Sequence, residues 1–336
     1  MKKLAAALMA GAMCLAPAFA QDKTVEFKVS LWAPPAHPLV PSTKEWTDSM
    51  TKASGGTLKF SIFPSEQLGK AFDHYDMVRD GIADIVYVSP GYSVGRFPIF
   101  DVTALPFLFG DATKGSLALD EWYRKYQAKE MQETKYCFAF MHAPGTFHSR
   151  KKITVPGDIK GMKIRPAQSM IGNMVSMLGG TNVRASAPEA REALERGVAD
   201  AIAFPWGSMF LFGIEKTVQY HMEEPLYVTA FTYNINPAKY NSLSAAQKKV
   251  IDDHCTGEWA AKIAAPWDKF ETDGIAKMKA LPNHDVYRLT PEQIGEWRKT
   301  VDPLRKQWAD EAAKKGVNAD EAFKELDALI VKNGAR

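Results

Sequence analysis

GMKIRPAQSMIGNMVSMLGGTNVRASAPEAREALERGVADAIAFPW, residues 161–206, decides the reading of this chain. Residues 162–164 read as a short strand leading into Arg165. Pro166 stops that strand and biases Arg165 toward an extended backbone. An arginine held there offers a two-pronged donor fork to a carboxylate. On spacing alone it could equally pair with an aspartate or cap a helix. Met170, Met174 and Leu178, with Ile171 and Val175, then form a helical stripe closed by Gly179 and Gly180. Residues 181–184 follow as a short strand. Pro188 suits the first turn of a helix, Gly197 ends it, and residues 201–204 are a third strand.

The same order occurs upstream. Residues 25–31 (VEFKVSL) alternate as a strand does. A helix opening at Pro41-Ser42 carries Trp46 and Met50 and ends near Gly55-Gly56. Residues 58–63 (LKFSIF) are a second strand, a helix through Tyr75 and Val78 closes at Gly81, and residues 85–88 are a third. The junctions share letters, Gly81-Ile82-Ala83-Asp84 and Gly197-Val198-Ala199-Asp200, which predicts a left-handed glycine cap and an aspartate at each strand entry. Two similar α/β lobes of mainly parallel sheet flanked by helices follow from this alternation. Further on, residues 232–236 read as a crossing strand. Residues from 244 through 259 and onward, 291–307 and 318–331 read as long C-terminal helices packing across both lobes. The expected first lobe is 21–145 plus about 231–275, the second 146–230 plus about 276–336.

In such sheets ligands lie at the carboxyl ends of the strands. Ser89-Pro90-Gly91-Tyr92 follows the third strand of one half and Phe204-Pro205-Trp206 that of the other. Facing each other, these ends predict a cleft that closes on a small molecule.

Lys2 and Lys3, the apolar run LAAALMAGAMCLA and Ala18-Phe19-Ala20 before Gln21 form a secretory leader, residues 1–20, cleaved near Ala20. Met13 before Cys14 is poorly suited to lipoprotein processing. The expectation is an exported, periplasmic protein of about 316 residues with no stable membrane insertion. Without Lys2 and Lys3, 40 basic residues face 39 acidic ones, and no basic block appears, which excludes a nucleic-acid partner. Cys137 and Cys255 remain, either as one disulfide or as two buried thiols.

Gly91-Tyr92-Ser93-Val94-Gly95 matches the G-x-S-x-G nucleophile elbow, but the loop-like Arg96-Phe97-Pro98 follows where a helix is needed. A secreted serine hydrolase using Ser93 is therefore the remote alternative. No metal-binding, Walker or dinucleotide motif occurs. His142 and His148 flank Pro144-Gly145 in what reads as a loop with surface or hinge roles. No enzyme, metal or cofactor is expected.

With these residues in view, the chain resembles the solute-binding proteins of TRAP transporters, the DctP-type family. The resemblance rests on Gly161-Met162-Lys163-Ile164-Arg165, Leu178-Gly179-Gly180, and Glu189 through Ala193-Leu194, Gly197 and Asp200. His37-Pro38, Gly55-Gly56, Phe63-Pro64 with Gln67-Leu68-Gly69, Leu105-Pro106-Phe107-Leu108-Phe109 and Asn236 also fit. It implies that Arg165 makes a bidentate salt bridge to a ligand carboxylate, and that the ligand passes to a sodium-coupled membrane permease. Many members carry an asparagine where this chain has Phe204. With Trp206, Tyr92, Trp32 and Phe147 near the expected cleft, and His37 beside it, this favours an organic monocarboxylate with an aromatic ring or short hydroxy or keto chain. A sugar acid, or a sensing role for a receptor, are the alternatives.

Overall fold

The computed structural model describes residues 22–336, so the expected leader and its cleavage site lie outside the described residues. The strands are β1 (Val25–Ser30), β2 (Leu58–Phe63), β3 (Ile85–Val88), β4 (Lys135–Met141), β5 (Thr146–Ser149), β6 (Lys163–Arg165), β7 (Thr181–Asn182), β8 (Ala201–Phe204), β9 (Tyr220–Met222), β10 (Ala230–Ile235) and β11 (Asp285–Tyr287). They form two sheets, ordered β2-β1-β3-β10-β4 and β11-β9-β5-β8-β6-β7.

The repeated sequence gives a repeated structure. In one sheet β1 lies parallel between β2 and β3; in the other β6 lies parallel between β7 and β8. Gly81 and Gly197 adopt φ of +75° and +68°, the left-handed caps expected of them. The aspartates explain why the junction recurs. Asp84 accepts from the Lys28 backbone N–H at 2.7 Å, and Asp200 accepts from that of Lys163 at 3.0 Å. Each therefore pins its strand to the first strand of its own lobe.

The sheets are mixed rather than mainly parallel. β10 returns from the second lobe and runs antiparallel between β3 and β4, while β5 runs antiparallel to β8 and β9. These reversals exist because the chain crosses between lobes, through residues 142–145 and again through 223–229. The crossings are tied together: Gly145 N–H donates to Tyr227 O at 2.8 Å and Leu226 N–H to Gly145 O at 3.1 Å.

Flanking helices bury one stripe each. Leu39–Ala53 places Leu39, Trp46 and Met50 on one face, all fully buried, each worth about 1.5–3 kcal/mol. The long helix expected from 244 onward is two, Ala245–His254 and Gly257–Lys279. Cys255 leaves helical geometry between them to bond Cys137 on β4, and the Thr256 hydroxyl caps the second helix. The run 291–307 likewise splits into Pro291–Val301 and Pro303–Lys314 at Pro303, which brings no N–H to continue the ladder. The last helix, Ala319–Asn333, was expected with the second lobe. It lies instead on helix Ala112–Tyr123 of the first, where Trp122 Nε1 donates to Ala322 O at 2.8 Å.

Candidate functional site

The carboxyl ends of β1, β3, β6 and β8 converge on one small, nearly closed cavity of about 30 Å³ between the lobes. Trp32, Ser89 and Tyr92 come from the first lobe; Arg165, Phe204 and Ser208 come from the second. His142, Tyr227 and Thr229 come from the crossing segments, Phe231 from β10, and Trp267 from helix Gly257–Lys279.

Arg165 ends β6 and is 1% exposed. Its Nε donates to Ala185 O at 2.9 Å, Nη1 to Ala203 O at 3.3 Å, and Nη2 to the Tyr92 hydroxyl at 3.2 Å. A guanidinium carries five N–H groups, so one remains on each terminal nitrogen. Among the described residues no carboxylate lies within ion-pair distance of it. A buried cation without a counter-charge is costly, and this one is fixed by two carbonyls and a phenol from three different segments. The Tyr92 oxygen also accepts from Ala187 N–H at 2.9 Å, so its own hydrogen is left to donate.

The walls are aromatic. The Phe204 ring lies 5.5 Å from the guanidinium carbon, Trp32 stacks obliquely on Tyr87 at 4.9 Å, and Phe231 meets Trp267 at 5.2 Å. Burial drives His37 down to about 3, with His142 adding to the effect, and drives His142 down to about 4; both are neutral at physiological pH. His37 Nδ1 accepts from Leu39 N–H at 3.1 Å, and His142 bonds Ala143 O and Thr229 N–H, assignments that fix each tautomer. Arg165 is therefore the charged lining residue. Three polar groups on residues that line this space have no protein partner among the described residues: Trp32 Nε1, Ser89 Oγ and the Tyr227 hydroxyl.

Of the residues singled out in the sequence, Arg165, Phe204, Tyr92, Trp32 and His37 meet in this cavity. Two do not. Phe147 sits opposite Ala203 in the β5–β8 register, and strand alternation turns it onto the other face, against Trp297 at 6.1 Å. Trp206 opens helix Trp206–Leu211 and turns away from the cavity, packing edge-on against His148 at 4.9 Å. His148 itself lies within β5 rather than in a loop. Ser93 ends a single helical turn, Pro90–Tyr92, and among the described residues its hydroxyl reaches no histidine or carboxylate, so no nucleophile elbow forms.

Residues 29–311 match the model of a family described as bacterial extracellular solute-binding protein, family 7, DctP. The chain belongs to that family. Its fold superposes on a TRAP solute-binding protein from Rhodoferax ferrireducens in complex with copurified benzoate, with a TM-score of 0.86, 27% identity, and coverage of 93% of this chain and 99% of that one. A marine metagenome TRAP solute-binding protein specific for aromatic acid ligands, in complex with 3-hydroxybenzoate, gives 0.85 and 31% over 93% and 99% of the two chains. One from Bordetella bronchiseptica with bound mandelate gives 0.86 and 27% over 92% and 99%.

DctP-type proteins are binding proteins rather than enzymes; they take small organic acids and work with a membrane permease. Among the described residues no helix is long and apolar enough to cross a membrane. Sequence reasoning missed Tyr227, Phe231, Ser208 and Trp267. One signal for Trp267 was available. The buried stripe Ala260, Ile263, Ala264, Trp267, Gly274, Met278 contains a carboxylate, Glu271, that a merely structural apolar face would not hold.

Proposed function

We propose that this chain captures a small aromatic monocarboxylate in the interlobe cavity, through a bidentate salt bridge to Arg165, and delivers it from the periplasm to a sodium-coupled permease. The observation that carries this reading is the buried guanidinium: fixed at three points, without a carboxylate partner among the described residues, and with one N–H left on each terminal nitrogen. Aromatic walls favour a flat ring, and the benzoate, 3-hydroxybenzoate and mandelate held by similar proteins support that class. The unpartnered Trp32 Nε1, Ser89 Oγ and Tyr227 hydroxyl favour a ring that also carries a hydroxyl. A polyhydroxylated sugar acid fits less well, because Phe204 supplies a ring where such a ligand needs donors and acceptors.

A thermal-shift panel of benzoate, 3-hydroxybenzoate, mandelate, a 2-keto acid and glucuronate tests this. A true ligand at a hundredfold excess over its Kd adds about 2.7 kcal/mol of stability. The aromatic acids should give that shift and glucuronate should not; the reverse ranking would overturn the assignment.

A further inference from the structure

Glu271 takes no part in the reading above, yet it is fully buried in the middle of helix Gly257–Lys279. Its carboxylate accepts from the Ser208 backbone N–H at 2.9 Å, from the Ser208 hydroxyl, and from Trp267 Nε1 at 2.7 Å. Ser208 and Trp267 both line the cavity, and they reach it from different elements. Ser208 stands on helix Trp206–Leu211, which follows β8 of the second lobe. Trp267 stands on the helix that packs against Leu39–Ala53 and Ala112–Tyr123 of the first. The two helices meet backbone to backbone: a methyl on Gly207 would lie 2.4 Å from Phe270 O, and one on Gly274 would lie 2.3 Å from Gly207 N. Within that seam the carboxylate is the polar link between the two cavity walls.

We propose that Glu271 is a positioning residue for the cavity, holding the Trp267 indole and Ser208 in place, and that its proton occupancy sets how tightly the cavity grips a carboxylate near neutral pH. This rests on the cavity being the ligand site. The chemistry is a conflict between hydrogen bonding and burial. Every partner of Glu271 is a donor, so the geometry suits the anion. Burial acts against the charge and pushes the carboxyl up to about 7. A proton on Oε2 meets the Ser208 N–H already aimed at that oxygen, and a proton on Oε1 requires the Ser208 hydroxyl to reverse and accept while the indole bond to the same oxygen weakens.

On its outer side Glu271 lines a surface groove with Glu223, Glu224 and Arg288. On its inner side His37 and His142 contact the Trp267 ring and are held neutral by burial. Tyr87 and Tyr227, which also feel the Glu271 charge, are pushed up by burial and are likewise neutral. Among the described residues on the cavity side of Glu271, these four groups are neutral and carry no charge of their own toward it.

The test is calorimetric titration of 3-hydroxybenzoate, whose carboxyl stays ionised, into the full-length mature protein at pH 6 to 8.5. Affinity of the wild type should fall about tenfold from pH 8 to pH 6. Glu271→Gln, which keeps one acceptor for the indole, should bind about tenfold more weakly at pH 8 with a flat profile, and Glu271→Ala more weakly still. Ser208→Ala, which leaves helix Gly257–Lys279 intact, should reduce the pH dependence without abolishing binding, so the proposal stays testable if the Glu271 variants fold poorly. A wild-type profile flat across this range, or one shared by Glu271→Gln and Ser208→Ala, would overturn the positioning role alone. Absence of binding by the wild type across the aromatic acids would instead overturn the reading of the cavity.

Discussion

Replacing Arg165 with methionine should separate two effects that a purely structural arginine would not separate. Methionine keeps an unbranched stem of similar reach and removes the charge and the fork. In the ligand-free protein the change relieves an unpaired buried charge but takes this donor from the carbonyls of Ala185 and Ala203, while the Tyr92 hydroxyl still accepts from Ala187 N–H. Each such orphan costs about 1–3 kcal/mol, and the relieved charge is worth several in the other direction. Unliganded stability should therefore change by no more than about 2 kcal/mol. Ligand binding has no such compensation. A ligand carboxylate entering the same cavity would itself be the unpaired buried charge, at a cost of about 3–5 kcal/mol, or roughly 150- to 5000-fold in Kd. Arg165→Lys should fall between, since an ammonium keeps the charge but not the two parallel bonds. Calorimetric titration with 3-hydroxybenzoate, alongside melting curves with and without ligand, reads both quantities. Binding by Arg165→Met within tenfold of the wild type would refute the carboxylate role. A collapse of unliganded stability with the wild-type ligand shift preserved would show the arginine to be structural.

Two further perturbations test the frame around the site. Glu130 accepts from the N–H groups of Ile99 and Phe100 and from the Tyr123 hydroxyl, yet burial pushes its carboxyl up to about 7. A folded value raised above the unfolded one contributes stability at low pH that is lost as the pH rises through about 7. Relative to the wild type, Glu130→Gln should therefore lose stability by up to about 1.4 kcal/mol per unit as the pH falls from 7 toward 5, and parallel denaturation curves would contradict this. The bond between Cys137 and Cys255 closes a sequence separation of 118 residues, so its removal by paired serine substitution should cost about 5 kcal/mol in the chain-entropy account. A urea midpoint that is the same for the oxidised protein and the double variant would show that the link constrains nothing.

What could be read in advance, and what could not, follows the range of the forces involved. The two lobes were legible because their devices are local. A glycine that must take positive φ, an aspartate three residues on and an alternating strand each act within a few residues, and Gly81 to Asp84 and Gly197 to Asp200 repeat them. Arg165 was legible for the same reason, since Pro166 sets its backbone. Mixed sheet order was not, because β10 and β5 take their direction from chain crossings whose partners are more than 80 residues apart in sequence, as Gly145 and Tyr227 are. Trp206 and Phe147 were misplaced because composition locates aromatics near a strand end without saying which face each one takes. In β5 and β8 that face is settled by register, and a change of one position separates Phe147 from His148.

Glu271 shows where an exception is more informative than a pattern. Helix Gly257–Lys279 read as packing between lobes, and most of its buried face does only that. A carboxylate in the centre of an apolar stripe raises a question that packing cannot answer, since burying it alone would cost several kcal/mol. The structure supplies donors on two cavity-lining residues that come from separate elements. A leucine there would leave the Ser208 N–H and the Trp267 indole without acceptors at the place where the two helices meet. The helix therefore does more than join the lobes: through one carboxylate it links Ser208 and Trp267, two residues of the cavity wall that come from separate elements.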